Sequence, residues 1–154
     1  MKKFIAAHVV LALVPISTGI LDMVTGTTLL APGLDPALDG SRALDSNLRF
    51  FGGFWLVAGL VLLWALLDLR ARAGVVRLLW AGIFVGGLGR IVGALSMGLP
   101  PAPFIGFGVL ELVGAPLAVL WLSAVLSAAD TPDTPERPLR DRQDGRQRTA
   151  RSLA

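Results

Sequence analysis

Two ionised side chains, Arg90 and Glu111, stand inside stretches of sequence that are otherwise apolar. A charge at the middle of a membrane helix costs roughly 2.5–3.5 kcal/mol on insertion scales, so each needs a partner, a wet cavity or a ligand. A guanidinium presents fixed N–H donors to carboxylate, phosphate or carbonyl oxygens, and a carboxylate beside it fixes its orientation. Arg49 and its neighbour Asn47 stand at the polar edge of another apolar stretch. Together Asn47, Arg49, Arg90 and Glu111 form a candidate polar centre, with binding or structure as its chemistry. No catalytic residue is assigned, because no serine, histidine or second carboxylate at the same depth supplies a nucleophile or an acid.

Composition narrows the classes further. The chain has 154 residues, of which 54% are hydrophobic and 16% charged, the profile of a membrane protein small enough for one bundle. It has no cysteine, which removes disulfides, thiolate metal sites and cysteine nucleophiles. Its one histidine, His8, cannot build a multi-histidine metal site, and neither metal nor cofactor is assigned. The net charge of +3 does not point to nucleic acid, since the basic residues flank apolar segments or lie in the tail without interleaved aromatics.

Four apolar stretches must position the polar residues: Phe4 to Leu21, Phe50 to Leu67, Val76 to Met97 and Phe104 to Ser127. Each is near the ~20 residues that cross ~30 Å of hydrocarbon as a helix. The expected fold is therefore all-α, an integral membrane four-helix bundle over residues 1–127. A Pro/Arg-rich tail over 128–154 has too few apolar residues to bury and is expected to be disordered. Lys2, Lys3, Arg70, Arg72, Arg77 and the tail arginines gather on one side, which places both termini in the cytoplasm. Within that topology Arg90 and Glu111 each lie roughly 10 Å below the outer helix ends, and antiparallel neighbours would bring them to one depth.

Small residues mark the faces of these helices. Gly82, Gly86, Gly93 and Ala94 share the Arg90 face, Gly108, Gly114, Ala115 and Ala118 surround Glu111, and Gly52 and Gly53 accompany Arg49. Such stripes are expected to face protein, because small residues let membrane helices approach closely. Pro116 is expected to bend the fourth helix below Glu111. His8 reads as an interhelical hydrogen-bonding residue.

The run Asp45-Ser46-Asn47-Leu48-Arg49-Phe50-Phe51-Gly52-Gly53, then Gly86-Gly87-Leu88-Gly89-Arg90 with Gly98 and Pro100, then Glu111-Leu112, resembles the bacterial family described as domain of unknown function 4345. The resemblance covers roughly residues 4–127. It implies a small four-helix membrane protein and brings no activity, substrate or cofactor. A more distant likeness to DoxX-like membrane proteins is architectural only.

These readings lead to a multi-pass protein of the bacterial cytoplasmic membrane. Its outward-facing Arg/Glu centre organises the bundle and is a candidate site for a polar or lipidic ligand. A membrane enzyme acting on a quinone or lipid, and a small accessory subunit of a membrane complex, remain alternatives. The topology has a direct test. Green fluorescent protein fused after Ala154 should fluoresce, and alkaline phosphatase inserted between Met97 and Pro103 should be active. The reverse pair of signals would overturn it.

Overall fold

The structure, a computed structural model, describes residues 1–29 and 41–130. Residues 131–154, nearly all of the expected tail, lie outside the described residues. The described chain is all-helical: α1 (Lys2–Thr25) and a 3-10 turn (Gly26–Leu29), then α2 (Arg42–Leu66) and α3 (Ala73–Met97). The last span comprises α4 (Ala102–Val109), a π-helical segment (Leu110–Gly114) and α5 (Ala115–Asp130). Taken together these form four helices long and apolar enough to cross a membrane.

Two boundaries differ from the apolar runs. α2 starts at Arg42, eight residues before Phe50. Ser41 caps it, its hydroxyl accepting from the Leu44 N–H at 3.3 Å, and Asp45 lies in the first turn, where the helix dipole favours an anion. Arg42, Asp45 and Arg49 thus ride on the helix. Just before Pro116, where a bend is expected, the structure has the π-helical segment. A proline there offers no N–H to the Leu112 carbonyl and crowds it, and a widened turn accommodates both effects.

α1 and α2 pack antiparallel at backbone contact. A Cβ added at Gly19 would come within 2.6 Å of the Gly52 carbonyl oxygen, and one at Gly59 within 2.7 Å of Ile16 Cγ1. Only glycine permits this approach, which exposes more backbone to mutual dispersion contact. The stripe read on α2 therefore does face protein. On α3, by contrast, Gly82, Gly86, Gly89 and Gly93 have no neighbour among the described residues within 4 Å of where a Cβ would stand. Their face is open, and Gly87 is the residue that packs, against Leu112 and Glu111. The expectation of a buried stripe on α3 fails because α2 touches that helix far less than it touches α1.

Burial is concentrated at the end carrying the N-terminus and the α2–α3 turn. Phe4, Ala12, Leu62, Ala65, Leu69, Val76, Ala118 and Leu122 form its core. His8 is buried among them and joins α1 to α3. The Trp80 indole N–H donates to His8 Nε2 at 3.2 Å, so Nε2 is the acceptor and Nδ1 carries the proton given to the Phe4 carbonyl at 2.9 Å. Phe4 stacks on the imidazole at 3.8 Å between centroids, and Trp121 meets Phe4 edge-on. Arg70 donates to the Ala129 carbonyl at 2.7 Å, tying the α2–α3 turn to the end of α5. The opposite end, with Leu95, Met97 and Leu99, is exposed.

The glycine contrast predicts a contrast in stability. Gly52→Ala should cost about 1–3 kcal/mol, because its Cβ would meet backbone and Asp22 Cβ rather than a yielding side-chain tip. Gly82→Ala should change stability by less than about 0.5 kcal/mol. Thermal unfolding in detergent micelles measures both, and equal losses would contradict the open face of α3.

Candidate functional site

The open half of the bundle holds two polar groups. On α3, Arg90 lies three residues beyond Gly87, which seats that part of the helix against Glu111 and Leu112. Its guanidinium grips Glu111 through Nε–Oε2 at 2.6 Å and Nη2–Oε1 at 3.0 Å. Two parallel N–H···O contacts of this length form a bidentate, charge-assisted pair. Nη1 has no hydrogen bond to the described residues. Arg90 is 40% exposed and Glu111 17%, so the arginine lies at the rim of its site and the carboxylate deeper. The reading of both charges as inward-facing holds for Glu111 more than for Arg90.

The second group is built around Arg49. Its Nε donates to Asp45 Oδ2 at 2.7 Å, one turn back on α2. Its Nη1 donates to the carbonyls of Met23 and Val24 at 2.7 and 3.0 Å. These are carbonyls of the last turn of α1, which lack helical partners and carry the negative end of its dipole. Asp45 Oδ1 accepts from the backbone N–H and hydroxyl of Thr27. Gly26 sits under this clamp at φ +53, where a Cβ would overlap Asp45 Oδ1 and crowd the Arg49 guanidinium. Both the left-handed backbone and the close approach require glycine.

The four residues read from the sequence therefore fall into separate places. Arg90 and Glu111 are paired, Arg49 belongs to the α1–α2 clamp, and Asn47 is exposed on α2 and takes part in neither. No hydrogen bond or ion pair among the described residues joins the two groups. α2 runs from Arg49 toward Trp55, about 9 Å further along the helix, and Trp55 is the α2 residue that shares a cavity lining with the Arg90 pair.

That pair lines a cavity of about 440 Å³, open to the side of the bundle, with Trp55 of α2 on one wall and Gly82, Gly86 and Gly89 of α3 on another. Trp55, Ile83 and Glu111 also line a second cavity of about 150 Å³, otherwise apolar, between the helices. The residues around the pair can hold a hydrogen-bonding head through Arg90 and an apolar body over the glycines. The sequence allows Asp45 to join Arg49, but does not show Trp55 as a wall, the Thr27 and Gly26 parts of the clamp or the π-helical segment carrying Glu111. The four-residue spacing from Asp45 to Arg49 was the available signal for the clamp. Trp55 had none, because its level beside α3 depends on the packing of separate helices.

Comparison with known proteins places the chain. The model of the family described as a domain of unknown function (DUF4345) matches residues 4–122, and the chain belongs to that family. No curated protein and no solved structure matches it.

The ion pair can be measured apart from any ligand. Glu111→Ala should destabilise the protein by about 1–3 kcal/mol, below the value for a fully buried pair because Arg90 reaches the rim. Combining it with Arg90→Ala should add less than the sum of the single losses, leaving a coupling of at least about 1 kcal/mol. Strictly additive losses in a double-mutant cycle would show that the pair does not hold α3 to the fourth span.

Proposed function

We propose that this member of the family is a multi-pass protein of the bacterial cytoplasmic membrane that binds a polar or lipidic ligand in the lateral cavity beside Arg90 and Glu111. One observation carries the reading. A guanidinium fixed by a carboxylate, with one nitrogen unengaged by the described residues, lines an open cavity whose other surfaces are Trp55 and bare glycine backbone. A purely structural ion pair would not call for an open cavity beside it. The same pair also organises the bundle by holding α3 to the fourth span.

Orientation follows from basic residues. Lys2, Lys3, Arg70 and Arg72 lie at or next to the helix ends of the closed half, and Arg70 reaches the end of α5. This is the end that positive-inside bias places in the cytoplasm, with the Arg90 cavity toward the outer leaflet. A second reading, a small subunit of a larger membrane complex, is favoured by the open Gly82–Gly93 seam, since small residues in lipid commonly meet another helix. The enzyme alternative has less support: none of the residues lining the cavity adds a second acid or base to Glu111.

The test uses Gly86, where an added Cβ meets no neighbour among the described residues, so that a side chain placed there enters the cavity and should leave the fold intact. Protein extracted from its own membrane in mild detergent should carry a small-molecule adduct in native mass spectrometry. Gly86→Leu should lose that adduct with its melting temperature unchanged. Identical adduct patterns for the two proteins would remove the ligand from the proposal.

A further inference from the structure

The cavity beside Arg90 carries information about charge as well as shape. We infer that it takes an amphiphile whose head is uncharged and bears both a carbonyl and a hydroxyl oxygen, as in a diacylglycerol, rather than an anionic headgroup. The inference rests on the lateral-cavity reading above and specifies its ligand.

Charge is the first argument. One guanidinium and one carboxylate line the cavity, bound to each other at 2.6 and 3.0 Å, so the lining is neutral overall. Neither this cavity nor the adjoining apolar one has another lysine or arginine on its walls. An anion entering here would leave water for an environment whose only cation is already matched, with the Glu111 carboxylate close by. Desolvation would then go uncompensated. An uncharged head avoids that penalty.

Hydrogen bonding is the second. Arg90 offers the Nη1 donors, which suit a carbonyl oxygen. The Glu111 oxygens each accept one N–H from Arg90 and retain acceptor capacity, which suits a hydroxyl donor. A head with one acceptor and one donor satisfies both partners without breaking the ion pair. Shape is the third. From Arg90 back to Gly82 the glycine face extends about 12 Å along α3, away from the helix end and toward its middle. Lacking Cβ atoms at Gly82, Gly86 and Gly89, it lets an alkyl chain lie on backbone beside Trp55. Head and chain thus fall in the order that a lipid of one leaflet presents.

The experiment compares probes of matched chain length in phosphatidylcholine nanodiscs, one set doped with dioleoylglycerol and the other with dioleoyl phosphatidylglycerol, read by native mass spectrometry. Wild type should retain dioleoylglycerol about tenfold better than Gly86→Leu does, the scale of about two alkyl methylenes kept off the groove by the leucine side chain. It should retain dioleoylglycerol in preference to phosphatidylglycerol. Glu111→Gln, checked for folding by its melting curve, frees the Arg90 charge and should move the preference toward phosphatidylglycerol. If Glu111→Gln does not fold, the Gly86→Leu comparison alone decides. Gly86-dependent retention of phosphatidylglycerol over dioleoylglycerol would overturn the uncharged-head inference while leaving the cavity reading intact. Retention of both lipids independent of Gly86 would overturn the two together.

Discussion

Apolar helices in hydrocarbon gain nothing by hiding from their solvent, so what holds them is close backbone approach and polar contact. In the open half of this bundle the polar contact between α3 and the fourth span, among the described residues, is the Arg90–Glu111 pair. It staples α3 to the fourth span, and the Arg49 clamp does the same for α1 and α2. Each tie joins helices that follow one another in the chain. At the closed end the ties run otherwise: His8 to Trp80 joins α1 to α3, and Arg70 to Ala129 joins the α2–α3 turn to α5. The molecule is thus two stapled hairpins joined at one end. The cavity lies where they part, with Trp55 on one hairpin and Arg90 and Glu111 on the other.

Glycine takes opposite roles in these two hairpins. At Gly19, Gly52 and Gly59 the missing Cβ lets backbones touch, and any larger residue would separate α1 from α2. At Gly82, Gly86 and Gly89 the missing Cβ leaves room that no neighbour among the described residues comes within 4 Å of filling. Helix propensity disfavours glycine by about 1 kcal/mol relative to alanine, so a run of glycines without packing partners among the described residues is a local expense with no return from them. Occupancy of that face from outside the chain is the physical reason that would justify it.

The spans and the Arg90–Glu111 match were legible in the sequence for one reason: both depend on distance along a helix of known rise. A short connection makes neighbours antiparallel, and residues equally far from the joined ends meet at one depth. Arg49 obeyed the same arithmetic but with the wrong origin. The apolar run begins only at Phe50, whereas Ser41 caps the helix two turns earlier, so Arg49 lies within it and has Asp45 as a partner on the same helix. The glycine faces were illegible in a deeper sense. A small-residue pattern states that close approach is possible, and α2 and α3 carry the same pattern with different neighbours. Only the unequal spacing between helices decides which stripe is covered.

Glu111 shows how a backbone irregularity can aim a side chain. In an unbroken α-helix, residue 111 would stand one turn from Ala115, on the face that Ala115, Ala118 and Leu122 turn to the core. The π-helical segment Leu110–Gly114 adds a residue to that turn and offsets the side chains above it from those below by up to about 100°. Leu110 then lines the apolar cavity alongside Glu111, while the carboxylate reaches across to Arg90. Pro116 makes a regular turn costly at just this point, since its ring and missing N–H disturb the carbonyl four residues before it. One residue thus serves both ends of the helix. Proline fixes where the turn must widen, and the widened turn lets the core below stay apolar while the carboxylate above meets its arginine.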